Sequence, residues 1–173
     1  MEQQLVSIGR AWLFGNEVDT DNMFPGFALK LPIAEAARHV FYALRPGWAN
    51  EVKSGDIIVG GKAFGIGSSR PVALLLKHLR VGGIVAEEFN SLFFRNCINY
   101  GLPLMVIPGV LDVIREGDQL RVDFEQGLIR VERTGQMLKG ERYPQLVLEI
   151  LRAGGVMAQL ESRGLVLPMQ GVR

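Results

Sequence analysis

The sequence predicts an α/β fold in which a parallel sheet core carries added antiparallel strands. Three features predict it. Short apolar runs bounded by Gly or Pro, "IIVGG" from Ile57, "IVAEEF" and "LPLMVI", alternate with stripes of helical period, and a strand-helix-strand-helix-strand series builds a parallel sheet. Downstream, "DQLRVDF" and "LIRVER" alternate apolar and polar residues on either side of "EQG", the pattern of an antiparallel hairpin. With 173 residues, 48% hydrophobic and 21% charged, the chain can bury a sizeable core.

The elements follow in order. The strand-like "GRAWLF" leads into "GNEVDTDNMFPG", Gly15 to Gly26, where a turn is expected and Asp19, Thr20 and Asp21 carry side chains that satisfy turn donors. "AEAARHVFYAL" reads as a helix bearing His39. After the Ile57 strand and a glycine-rich stretch, Val72, Leu75, Leu76 and Leu79 recur at helical spacing. Pro71 suits the first turn of that helix because its missing N–H is not needed there, Gly82 and Gly83 end it, and His78 lies opposite the leucine stripe, in solvent. A second helix runs from about Ser91 to Tyr100, with Leu92, Phe93 and Cys97 inward and Gly101 as its C-terminal cap. "YPQLVLEILRAGGVMAQLESRG" reads as a helix from Pro144, broken at Gly154 and Gly155, then a shorter one to Gly164. One domain over residues 1–165 is expected, with a tail, 166–173, that frays.

Composition excludes several classes. Lys and Arg number 19 against 18 for Asp and Glu, a net charge of +1, so no bulk field recommends nucleic acid or an anionic membrane as partner. The single cysteine, Cys97, excludes an internal disulfide framework and cannot alone hold zinc or an iron–sulfur cluster; it reads as a small hydrophobe in a buried helix. No apolar run reaches the roughly 18 residues of a membrane span, and "MEQQLVSIGR" lacks the regions of a signal peptide, so a cytoplasmic protein is expected.

The stretch "GGKAFGIGSSRP", Gly60 to Pro71, carries the densest chemistry. A strand, a glycine-rich loop and a helix start bring backbone N–H groups to one point, where carboxylate or phosphate binds. Gly67 gives close approach, Ser68 and Ser69 add hydroxyls, and Arg70 adds a guanidinium that can grip a carboxylate with two bonds. The alternative is that Ser68 or Ser69 merely caps the helix and Arg70 is a solvated first-turn residue. The loop matches neither "GxxxxGK[ST]" nor a complete "GxGxxG", so nucleotide binding is the weaker form of the anion reading.

Taken together, "GNEVDTDNMFPG", "GDIIVGGKAFGIGSSR", "IVAEEFNSLFFRNCINYGLPL" and "LVLEILRAGGV" fall in the order of a known family. The chain resembles the small subunit of 3-isopropylmalate dehydratase, which is similar to the swivelling C-terminal domain of aconitase. The resemblance implies a three-layer β/β/α swivelling domain and a two-chain hydro-lyase. A large subunit would hold a four-iron four-sulfur cluster, one iron acting as Lewis acid, and this chain, binding no cofactor or metal itself, would close over it. The substrate implied is a small hydroxy dicarboxylate, 3-isopropylmalate/2-isopropylmalate of leucine biosynthesis first.

By that match Ser68 is the catalytic base, an alkoxide that removes the proton alpha to a carboxylate. Backbone N–H groups, the helix start and Arg70 would stabilise its negative oxygen once water is excluded. Arg70 matches the carboxylate-binding arginine, Ser69 and Gly67 help hold the same group, and Thr20 with Asp21 matches the family's "TD" pair at the active site. Two departures bear on the substrate. The family reads "GSSRE" followed by His-Ala, whereas here Pro71, Val72 and Ala73 follow Arg70. After "FPG" this chain has "FALKL": either Lys30 meets a polar group on the substrate's variable arm, or it faces solvent and Phe27, Ala28 and Leu29 line an alkyl pocket. Dimethylmalate, citramalate and homoaconitate relatives therefore remain alternatives, as does a non-catalytic carboxylate-binding module.

Overall fold

The computed structural model describes residues 3–67 and 70–167; Ser68, Ser69 and most of the expected tail, 168–173, lie outside them. β1 (Val6–Gly15) leads through three short helices, α1 (Thr20–Met23), α2 (Ile33–Ala36) and α3 (Trp48–Glu51), to β2 (Ile57–Gly60). Then come α4 (Val72–His78), β3 (Gly83–Ala86), α5 (Ser91–Tyr100), β4 (Leu104–Val106) and α6 (Val110–Val113). The chain finishes with β5 (Gln119–Asp123), β6 (Leu128–Val131), β7 (Gln136–Lys139), α7 (Gln145–Ala153) and α8 (Val156–Ser162).

The seven strands among the described residues form one sheet in the order β4-β3-β2-β1-β5-β6-β7. The β4-to-β1 half is parallel and the β1-to-β7 half antiparallel. Burial follows this division. Every residue of β2 and β3 is buried, as strands covered on both faces must be. In β5 and β6 buried residues alternate with less buried ones, so only one face meets the core. The sheet curls: Phe124, just past β5, reaches the start of β3, where a Cβ added at Gly83 would lie 2.2 Å from its ring. α4, α5, α7 and α8 pack together as the helical layer of a three-layer β/β/α arrangement. Lys77 Nζ ties that layer, donating to Tyr100 O (2.7 Å) and Gly154 O (2.5 Å) at the ends of α5 and α7. Among the described residues no helix is long and apolar enough to cross a membrane.

The caps follow expectation at α5, where Asn90 Oδ1 accepts from Leu92 N and Gly101 ends the helix at φ 71°. Elsewhere the structure differs. "AEAARHVFYAL" is not one helix: α2 tightens into a 3-10 turn at Ala37–His39, and Phe41 then turns at φ 58°. The cause is packing, because Phe41 N donates to Met23 O and its ring stacks on Phe14 with centroids 3.9 Å apart. α4 stops at His78, before Gly82, since Arg80 turns left-handed and Gly83 already belongs to β3. Leu92 is only half-buried, its expected core place being taken by Ile98. β7 has no counterpart among the expected strands.

Candidate active site

Three connections meet at the carboxyl ends of β1, β2 and β3. Backbone bonds zip the glycine-rich loop to the segment after β1. Glu17 N donates to Lys62 O (2.8 Å), Gly65 N to Val18 O (2.8 Å) and Thr20 N to Ile66 O (2.7 Å). On its other side, Phe64 N donates to Glu88 O and Asn90 N to Phe64 O. The loop needs its glycines in two places. At Gly65 (φ 84°) a Cβ would sit 2.3 Å from the Phe93 ring, and at Gly67 (φ 104°) it would press at 3.0 Å on both Asp19 Oδ1 and Thr20 Oγ1.

The "DTD" turn is the first turn of α1. Asp19 caps it, its Oδ1 accepting from Asp21 N at 2.6 Å. Thr20 is buried, and Asp21, one residue on, is exposed. Asp21 Oδ1 accepts a hydrogen bond from Arg70 Nε at 2.5 Å. The guanidinium lies against Gly26, where an added Cβ would be 3.6 Å from Nη1. Nη1 is buried and has no hydrogen-bond partner among the described residues. A buried donor left without a partner costs about 1–3 kcal/mol, a cost that an anion oxygen brought to Nη1 would remove.

Of the residues singled out in sequence, Thr20, Asp21, Gly67 and Arg70 are brought together. Ser68 and Ser69 lie outside the described residues, between Gly67 and Arg70. The cap of α4 is Pro71, which offers no side-chain hydroxyl, and Arg70 is only 18% exposed, against its reading as a solvated first-turn residue. Leu29 and Lys30 are exposed on a 3-10 turn, Gly26–Lys30, that leaves the site at Gly26; Ala28 of the same turn is buried. Asp19 and Gly26 were not singled out as site residues. The N-cap preference for Asp signals the first; nothing in the sequence signals the second, because its contact is with a residue far along the chain.

Among the described residues no group of three or more His, Cys, Asp or Glu could hold a metal ion. Cys97 is fully buried, and burial pushes its thiol pKa up. The residues present therefore do not fit an iron–sulfur cluster.

A family model described as the aconitase C-terminal domain matches residues 36–108, a span that includes the glycine-rich loop and Arg70. The fold and site thus define the class, a domain of the aconitase C-terminal type. The isopropylmalate/citramalate isomerase small subunit of Methanocaldococcus jannaschii is 45% identical over 157 residues, which is 90% of this chain and 94% of that protein. The 3-isopropylmalate dehydratase small subunit of Aquifex aeolicus is 42% identical over 158 residues, 90% of this chain and 94% of that one. The crystal structure of a 3-isopropylmalate dehydratase from Methanocaldococcus jannaschii matches with a TM-score of 0.86 at 34% identity, covering 96% of this chain and 99% of that one. The chain belongs to the family of 3-isopropylmalate dehydratase small subunits.

Proposed function

We propose that this chain is the small subunit of a two-chain hydro-lyase that interconverts 3-isopropylmalate and 2-isopropylmalate in leucine biosynthesis, acting as one swivelling domain over residues 1–165. The observation that carries this is Arg70: Asp21 fixes its Nε while the buried Nη1 has no hydrogen-bond partner among the described residues. That is the arrangement a substrate carboxylate needs, a charged fork held in place before the ligand arrives.

Arg70 binds one carboxylate of the hydroxy dicarboxylate, helped by Ser69 and Gly67. Ser68 takes the proton from the carbon alpha to a carboxylate, and the electron pair of that C–H bond forms the double bond as the C–O bond at the neighbouring carbon breaks. The leaving hydroxyl takes up a solvent proton to depart as water, and that proton is given back to solvent when water adds its hydroxyl in the second half-reaction. Rehydration at the other carbon returns the proton from Ser68. Thr20 and Asp21 hold the wall opposite, Asp21 by orienting Arg70. Leu29 and Lys30 meet the substrate's variable arm. The four-iron four-sulfur cluster is assigned to the large subunit, where it supplies Lewis acidity.

Citramalate is the second substrate to consider, because the Methanocaldococcus relative is named for both acids. The test is to combine this chain with its large subunit, loaded with iron and sulfide without oxygen, and follow the unsaturated product from isopropylmalate and citramalate. Activity that requires both chains and vanishes in Ser68→Ala is expected; turnover by the large subunit alone, or an active Ser68→Ala, would overturn the assignment.

A further inference from the structure

Beside the site, the segment from Gly26 to Leu44 holds four large apolar side chains in solvent. Phe27 is 64% exposed, Leu29 51%, Tyr42 53% and Leu44 42%. Three of its rings gather: Phe27 and Tyr42 have centroids 6.2 Å apart, and His39 lies 5.1 Å from Phe27 and 6.4 Å from Tyr42, all edge-on. They are held outward by a firm base. Phe41 is stacked inside on Phe14 and bonded to Met23 O, while Leu44 N and Arg45 N both donate to Phe41 O. On the outer sheet face, by contrast, exposed apolar residues are interrupted by charge: Ile8 and Met137 are separated in register by Arg121 and Arg130. Only singly exposed hydrophobics need no explanation; a contiguous aromatic group marks an interaction surface.

We propose that this aromatic rim is where the large subunit docks, and that the partner meets it with apolar side chains bordered by carboxylates. The inference rests on the two-chain reading above. Two observations select this occupant. The rim is continuous with the site, because Gly26 starts the turn and lies beside the Arg70 guanidinium, a Cβ added there falling 3.6 Å from Nη1. A chain seated there encloses Asp21 and Arg70 and excludes the water that weakens their hold on a carboxylate. The flanks are also basic on balance: Lys30 and Arg38 are exposed, with no ion pair among the described residues, against Glu35, while Arg45 is already held by Glu116 at 2.8 Å. Acidic residues around an apolar centre complement that pattern.

The experiment titrates the cluster-loaded large subunit from the same organism with this chain, comparing the unmodified protein, Tyr42→Asp, Leu44→Asp and, on the far sheet face, Met137→Asp. Thermal melts check that each variant is folded. Expected is a Kd raised by about tenfold or more for the two rim variants, as for a central interface residue, an unchanged Kd for Met137→Asp, and a recovered kcat for the rim variants at saturating large subunit. An unchanged Kd for both folded rim variants, or an equal loss in Met137→Asp, overturns the docking surface while an active unmodified pair leaves the function standing. Failure of the unmodified chains to associate overturns both.

Discussion

Asp21 and Arg70, 49 positions apart in the chain, are joined by one hydrogen bond of 2.5 Å from Arg70 Nε to Asp21 Oδ1. The bond occupies the inner nitrogen and leaves the outer edge of the guanidinium for a ligand. Arg70→Lys removes the fork, and a hydrogen bond to a charged group contributes about 1.5–3 kcal/mol. The expected result in steady-state kinetics is a loss of roughly 10- to 150-fold in kcat/KM with an unchanged melting temperature. Asp21→Asn keeps the shape and weakens the clamp, so KM rises more than kcat falls.

Gly65 is where the loop tolerates least. The Phe93 ring occupies the place of a side chain, and φ there is 84°. Gly65→Ala is expected to lower stability by about 1–3 kcal/mol, measured by urea unfolding, and to reduce activity with it. Gly15→Ala serves as control, since it has a similar φ but nothing within 4 Å; it should show only the backbone strain.

Asp118 predicts an acid limb. Hydrogen bonds from Arg133 Nε (2.7 Å) and Nη2 (2.9 Å) hold its carboxyl below the usual 3.8. A carboxyl whose pKa is lower folded than unfolded stabilises fully above the unfolded value and loses that contribution as pH falls through the folded one. The urea midpoint of Asp118→Asn should therefore lie below that of the unmodified chain at pH 6, and the gap should narrow towards pH 2.

Cys97 is fully buried in α5, with its thiol pKa pushed up by burial. Only thiolate reacts with disulfide reagents. The native chain should be inert to such a reagent and should react with one thiol per chain when unfolded in urea; fast native reaction would contradict the packing.

Lys30 stands exposed at the end of the 3-10 turn. Lys30→Ala should raise KM for a substrate whose variable arm carries a carboxylate and leave KM for isopropylmalate unchanged. A KM unchanged by Lys30→Ala for both acids would remove Lys30 from the site.

The parallel strands and the longer helices were legible because burial on both faces leaves apolar runs such as "IIVGG", and because Asn90, Gly101 and Gly154 cap by local rules. β7 was not: Gln136, Met137 and Lys139 are exposed and Leu138 is only half-buried, so no alternation reaches the sequence. The break after Ala36 was hidden for the opposite reason, since a helical pattern yields to the stacking of Phe41 on Phe14. In the site, the residue types were readable from motif and resemblance. The clamp between Asp21 and Arg70 and the seat of the guanidinium on Gly26 were not, because they depend on distant segments meeting.

After β7 the chain doubles back along the far side of the sheet, with Glu141 N donating to Val106 O and the Tyr143 hydroxyl to Leu104 O. Two carbonyls of β4, those of Leu104 and Val106, are therefore already engaged by its own chain. Among the described residues the sheet's other border is β7, short and carrying Lys139, a charge that discourages strand addition. Edge-to-edge pairing between copies thus meets carbonyls already taken at one border and a lysine at the other, two devices by which a sheet discourages fibril growth.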